Sequence, residues 1–334
     1  MKQGAIGFRV DWHWLWKKLV RAQQQLPKQA PELLPSSEVK VMTDFRKYCR
    51  EISSWKDLIE VESEFTARED LKETPQPGEQ TKWIFRGQPS VSMHLDTSLE
   101  RAFKRLEVPG EKTHQLETRM IHEFSRSYHL YTEHQPPPAR GETLEWLALM
   151  QHHGTPTRLL DFTYSLFVAA FFGLEHTADD CAVWAVKHNW LVRHLRSLAV
   201  KHVDKGEKVF TKFSDEKDGP SFRLLFRDSR LRLVAPVNPL RLNQRLIIQQ
   251  GVFLCPGDVT VGFEDNLKSL SGYDDNVYKI VIKGGCRVKL LQKLHRSGLN
   301  RAVLFPGLDG FAQSLTNLAI LPLFQIDDKI LKLL

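Results

Sequence analysis

The sequence predicts an α+β protein with a mixed or antiparallel sheet core flanked by helices and a helical N-terminal extension. Three observations carry this. Short apolar runs rich in β-branched and aromatic residues (WIFRG, CAVWAV, YKIVIKG) read as strands. Longer stretches with apolar residues at helical spacing (RMIHEFSRSYHLY, TLEWLALMQHHG) read as helices. The two kinds interleave irregularly instead of alternating as βαβ units. The chain has 334 residues, 42% of them hydrophobic, with 8 Trp and 19 Phe, so it can bury a sizeable core.

In chain order, residues 10–26 read as a helix whose Trp12, Trp14 and Trp16 suit either a core or an interface. The Pro-punctuated QQQLPKQAPELLPS is a linker, and a second helix runs from about Asp44 to Ile52. SSWKDLIEVESEF is a helix capped by Ser53 or Ser54, with Asp57 in its first turn. The loop KETPQPGEQTK leads into the strand WIFRG. Helical sequence lies between Ser98 and Glu133, and HQPPPARGE breaks it. TLEWLALMQHHG is stopped by Gly154 and Pro156. SLFVAAFFGLEH lacks polar residues in its middle, as a helix sandwiched between layers does. After the strand CAVWAV, the basic stretch 187–232 reads as an elaboration around the turn sequence DEKDGPS. QRLIIQQGVFLCPG, YKIVIKG and RAVLF read as strands, VKLLQKLHRSG as a basic helix closed by Gly298, and FAQSLTNLAI as a last helix. The expected organisation is a helical accessory region at 1–78 and a main domain at 79–334.

Net charge is +7 and unevenly placed. Residues 51–79 hold nine acids against Lys56, Arg68 and Lys72, whereas 187–232 hold twelve Lys/Arg against six acids. Residues 287–301 add five cations and no acid. This asymmetry suits an anionic partner such as a nucleic acid, and equally a solvated surface. No stretch approaches the ~18 apolar residues of a membrane span, and the first residues lack the pattern of a signal peptide. Cys49, Cys181, Cys255 and Cys286 are far apart, which argues against a zinc cluster or a disulfide framework and suits a reducing cytoplasm.

The chain has no P-loop, G-x-G-x-x-G, H-E-x-x-H or G-x-S-x-G pattern. Three polar constellations remain. In Phe85-Arg86-Gly87-Gln88, Arg86 offers a rigid fork of donors for phosphate or carboxylate, and Gly87 would let a ligand near the backbone. The alternative is an arginine paired across the sheet and a glycine that only turns the chain. In Gln151-His152-His153-Gly154-Thr155-Pro156-Thr157-Arg158-Leu159-Leu160-Asp161-Phe162-Thr163, a polar turn feeds directly into core sequence. Here Arg158 and Asp161 suit a site or a structural ion pair, and Asp161, Thr163 or Ser165 could cap the next helix. Adjacent His152 and His153 point in different directions on a helix and cannot share one metal. In the third, Asn243-Gln244-Arg245-Leu246-Ile247-Ile248-Gln249-Gln250-Gly251-Val252-Phe253, Gln249 and Gln250 stand just before an apolar strand, placing amides where they could read a ligand or bond loop backbone.

As an ordered set over roughly 80–315, these blocks resemble the FRG domain of bacterial and phage proteins, named for its Phe/Tyr-Arg-Gly motif. The closing Leu304-Phe305-Pro306-Gly307-Leu308-Asp309-Gly310-Phe311-Ala312 is similar to that family's end. The order of motifs also looks like that of mono-ADP-ribosyltransferases, which implies a sheet core of that type. The resemblance implies NAD as substrate, with Arg86 as phosphate clamp, Thr163 as the second-motif residue, and Gln250 or Gln249 at the third-motif position. A glutamate stands there in those enzymes, and none stands here. Asp161 could supply the missing carboxylate. The expected site is therefore Arg86, Asp161 and Gln250 for chemistry, with Arg86, Gly87, Gln88, His153, Thr157, Arg158, Thr163 and Gln249 holding the ligand and no metal.

Three readings follow. The first is an NAD-using transferase acting on a nucleic acid or protein, as a toxin or in phage defence. The second is a non-catalytic nucleotide or nucleic-acid sensor, which explains the absent glutamate. The third is a metal-independent nuclease with His152 or His153 as acid/base and Arg158 on phosphate. Residues 1–78 would serve an inhibitory or assembly partner. No membrane is expected.

Overall fold

A computed structural model of the chain describes residues 50–70, 82–132, 136–216, 219–241 and 244–316. The expected helix at 10–26, with its three tryptophans, lies outside them. Among the described residues seven strands form one mixed sheet: β1 (Glu51–Ile52), β2 (Trp83–Gln88), β3 (Leu160–Thr163), β4 (Cys181–Lys187), β5 (Val234–Val237), β6 (Gly251–Pro256) and β7 (Val277–Ile282). Their order is β1-β7-β4-β2-β3-β6-β5. β1 runs parallel to β7, and the other pairings are antiparallel.

Alternation along the strands sorts their side chains onto two faces. Trp83 and Phe85 in β2, Val183 and Ala185 in β4, and Ile280 and Ile282 in β7 bury with the helices Trp55–Asp70, Leu166–Leu174 and Arg287–Arg296. Ile84, Trp184 and Val186 bury on the other face, with the helices Thr143–His152 and His188–His202.

Described residues before and after the expected boundary at 78 pack together. β1 pairs with β7, and Leu58, Val61 and Phe65 of helix Trp55–Asp70 bury in the same core as Trp83 and Phe85. The described residues accordingly form one compact unit. The stretch 187–232 is more than an elaboration. Its Trp190, Leu191, Leu195, Phe213, Phe222, Leu225 and Phe226 supply much of the core on one sheet face.

Several local readings meet the structure directly. Helix Trp55–Asp70 begins with Ser54, whose hydroxyl accepts from the Asp57 N–H at 3.2 Å, while the Asp57 carboxylate accepts from the Ser53 N–H at 2.9 Å. Ser165 is the cap of helix Leu166–Leu174, accepting from the Val168 N–H at 3.3 Å. Gly154 and Gly298 stop their helices at φ of 82° and 83°. Other readings are corrected. Glu51 and Ile52 end the expected helix from Asp44 as a strand. Gln244–Ile248 is a helical turn before β6, so QRLII is not strand. RAVLF is helical over Arg301–Leu304 because the Asn300 side chain caps the Val303 N–H at 3.1 Å. The final helix spans Leu308–Ser314, and residues from 317 on lie outside the described set.

Gly87 has a packing use besides the ligand approach expected of it. A Cβ there would stand 1.9 Å from the Ala169 carbonyl oxygen and 2.6 Å from the Gly173 nitrogen. The missing side chain lets helix Leu166–Leu174 lie against β2, so its first use is helix-on-strand packing. Cys181, Cys255 and Cys286 are buried free thiols, and Cys49 lies outside the described residues. Among the described residues no helix is long and apolar enough to cross a membrane.

One feature of the sheet positions the site. β2 pairs with β4 at six positions, Trp83 to Gln88, but with β3 at one, Phe85 to Thr163. The sheet is therefore two ladders, β1-β7-β4-β2 and β3-β6-β5, joined at a single residue pair.

Candidate functional site

Beyond the Phe85–Thr163 joint the ladders part. Arg86 and Gly87 on β2 and Phe162 and Asp161 on β3 come next, and they no longer pair. A cavity of about 190 Å³ lies at this split, lined by Arg86, Asp161, Thr163, Arg245, Gln249 and Phe305 among others. A second cavity of about 130 Å³ adjoins it, with Arg86 and Asp161 lining both. Arg101, Ser98, Gln151 and Thr155 complete the second.

Arg86 is half-buried, and its Nη1 donates to the Asp161 main-chain carbonyl at 2.7 Å. A guanidinium thus bridges the ladders where strand pairing has ended. Its Nε is buried with no partner. Burial, above all, lowers the Arg86 pKa; the Asp161 carboxylate opposes that shift and the Arg101 charge adds to it. Arginine titrates so high that it stays cationic. The site therefore holds a fixed charge with a spare donor, which an anion would satisfy.

Asp161 is exposed and is the one acid lining either cavity among the described residues. Its Oδ1 accepts from Gln151 Nε2 at 2.9 Å. Gln151 is held in turn, because its Oε1 accepts from the buried Thr157 hydroxyl. The Ser98 hydroxyl fixes Thr157 through its N–H at 2.9 Å. Thr157 thus reaches the site through Gln151 and does not line it.

Thr163 does line it. Its hydroxyl donates to the Gln249 carbonyl at 2.7 Å and accepts from the Ser165 N–H at 3.0 Å, tying β3 to the turn before β6. The two glutamines separate. Gln249 is buried at the cavity with its Nε2 donating to the Leu304 carbonyl at 2.9 Å. Gln250 is exposed at φ 48° and does not line either cavity; its carbonyl accepts from the Tyr164 N–H at 2.9 Å. The left-handed turn that lets the chain enter β6 leaves Gln250 exposed, whereas Gln249 faces the cavity.

Three other expected residues stand apart. Arg158 is fully buried, with Nε donating to Glu117 Oε1 at 2.7 Å and the remaining nitrogens on Glu117, Phe226 and Pro256 oxygens. It is the structural ion pair, and no phosphate can reach it. Gln88 is buried, accepting from Trp184 Nε1 and donating to the His94 carbonyl, each at 2.8 Å. His153 is the exposed C-terminal cap of helix Thr143–His152, its ring centroid 5.0 Å from that of His152. The His152 pKa is lowered, first by burial and then by the charges of His153 and Arg245.

Residues that the sequence did not single out complete the cleft. Arg245 and Arg301 lie over the Phe305 ring, each 4.4 Å from its centroid. Arg301 is anchored by Glu175 at 2.6 Å. The Phe172 ring meets Phe305 edge-on at 5.9 Å, so two aromatic rings line one end of the cavity. Burial lowers the Arg245 pKa most, and Asp161 opposes that shift. The cleft thus combines an aromatic end, three guanidiniums (Arg86, Arg101, Arg245) and one carboxylate, a composition suited to a ligand with a ring and phosphates. Arg245 stood inside the third constellation and Phe305 inside the closing segment. Their only signal was a polar or Gly/Pro turn beside apolar sequence.

No curated protein and no solved structure matches the chain. A family model does: residues 81–181 match the FRG domain. This is narrower than the expected 80–315, and it leaves Arg245, Gln249 and Phe305 outside the matched segment. The strand with Arg86, the turn at Gln151 and the strand with Asp161 all fall within it, and the chain carries an FRG domain over these residues.

Proposed function

We propose that the cleft at the sheet split binds a nucleotide, NAD, and that the protein transfers its ADP-ribose to a nucleic acid or protein acceptor. The observation that carries this reading is that Arg86, Asp161 and Thr163 line one cavity. Arg86 and Arg245 meet the phosphates, and the Phe305 and Phe172 rings take an aromatic ring of the ligand. Breaking the bond between nicotinamide and ribose builds positive charge on the ribose carbon. Asp161 is the carboxylate available to stabilise it, oriented by Gln151 and Thr157. The bonding pair leaves with nicotinamide, and an acceptor oxygen or nitrogen then attacks the same carbon and loses its proton. Removing such an electrostatic group costs on the order of 10²–10³ in rate. A role as toxin or in phage defence fits a chain that modifies a macromolecule.

The test is NAD labelled on its adenylate half, incubated with the wild-type chain, Arg86→Ala and Asp161→Asn, with RNA, DNA or cell extract as acceptor. The expected result is label on an acceptor and free nicotinamide with wild type, and loss of both in either variant. Neither product from a folded wild-type protein would overturn the transferase reading. The neutral amide of Gln249 at the cavity favours a second reading, a nucleotide-binding module without chemistry. It predicts binding of ADP-ribose with no nicotinamide release.

A further inference from the structure

We infer that the second cavity is a separate phosphate subsite, built on Arg101 and the far side of Arg86. Three observations support it. Arg86 and Arg101 share a space of about 130 Å³, room for one phosphate-sized group. Among the described residues Asp161 is the one acid lining that space, and it also lines the neighbouring cavity with Arg245, so three guanidiniums share one carboxylate. Arg101 is exposed and also donates to the Asp96 carbonyl, yet its charge acts on Arg86 across this space, and an anion between the two guanidiniums would offset their repulsion. Finally, two of the other polar groups there are already used: the Ser98 hydroxyl holds Thr157, and Gln151 holds Asp161. The buried Arg86 Nε has no partner within the protein, a donor that an anion beside Arg86 could take up.

The subsite rests on the nucleotide reading only for the origin of the phosphate. That origin is either the second phosphate of the donor or a phosphate of a nucleic-acid acceptor, and the same chemistry serves both. A phosphate group there would lie beside Asp161, where the two cavities meet and a transferred ribose would pass.

The test measures binding of three probes to wild type, Arg101→Ala and Arg101→Lys: inorganic pyrophosphate, ADP-ribose, and a short oligonucleotide with and without a 5′-phosphate. Circular dichroism and thermal melting confirm that each variant is folded. Arg101→Ala is expected to weaken a phosphate-bearing probe roughly tenfold to a hundredfold, with partial rescue by Arg101→Lys. Weakened ADP-ribose assigns the subsite to the donor. Loss confined to the 5′-phosphorylated oligonucleotide assigns it to the acceptor. Unchanged affinity for every probe in folded Arg101→Ala overturns the inference. Nicotinamide release is scored independently, so phosphate binding without release would refute the transferase and leave the subsite standing.

Discussion

Arg158 forks onto Glu117 with both side chains buried, joining helix Gly110–Ser127 to the turn that leads into β3. Arg227 approaches the same carboxylate at 4.0 Å, so one acid serves two buried guanidiniums. Glu117→Gln is therefore expected to destabilise the fold by about 3–5 kcal/mol, because it leaves buried cations unpaired. Urea unfolding checks this. A midpoint within error of wild type would show the pair to be dispensable.

Arg86→Ala separates binding from folding. The side chain lends one hydrogen bond to the Asp161 carbonyl, so the melting temperature should fall only a few degrees. ADP-ribose affinity should fall roughly tenfold to a hundredfold. Loss of the folded state would show instead that Arg86 serves the sheet.

Gly87→Ala should act through packing. Its Cβ meets backbone of helix Leu166–Leu174, which cannot yield as a flexible side chain would. The expected cost is about 1–3 kcal/mol in denaturant unfolding. A variant with wild-type stability but no ligand binding would return this glycine to a role in ligand approach.

The two glutamines should respond differently. Gln250→Gly relieves a left-handed residue on the surface and should stabilise by about 1 kcal/mol, with ligand affinity unchanged. Gln249→Ala removes a buried bond to Leu304 at the cavity wall and should weaken both stability and binding. Calorimetry on the pair distinguishes them.

Asp57 gives an acid-dependent contribution. The Ser53 N–H first, and the Ser54 and Ser53 hydroxyls after it, hold its carboxyl pKa at about 2, against an ordinary 3.8. A depressed pKa means stability that is complete above the ordinary value and lost as pH falls through the folded one. Asp57→Asn should therefore flatten the stability profile between about pH 4 and pH 2. Acid unfolding followed by circular dichroism reads this directly.

A strand whose apolar pattern is continuous, Cys181–Lys187, was legible because burial on both faces leaves a plain signature. RAVLF has the same look. What makes it helical is one side-chain cap from Asn300, and apolar periodicity carries no trace of that. At the site, Arg86, Asp161 and Thr163 stood out as polar residues embedded in apolar sequence. Arg101 did not, because an arginine on a helix of charged residues looks like any solvated one until tertiary packing turns it toward Arg86. Arg158 misled for the opposite reason. Its partner Glu117 lies 41 residues earlier, and no local pattern announces a pairing at that distance.

The single stitch between Phe85 and Thr163 has a mechanical consequence. Each ladder is stiff along its own hydrogen bonds, while the seam between them is compliant and can gape without breaking either ladder. A ligand gripping Arg86 on one side and Arg245 on the other would act as a brace across that seam, so occupancy would be felt as rigidity throughout the sheet.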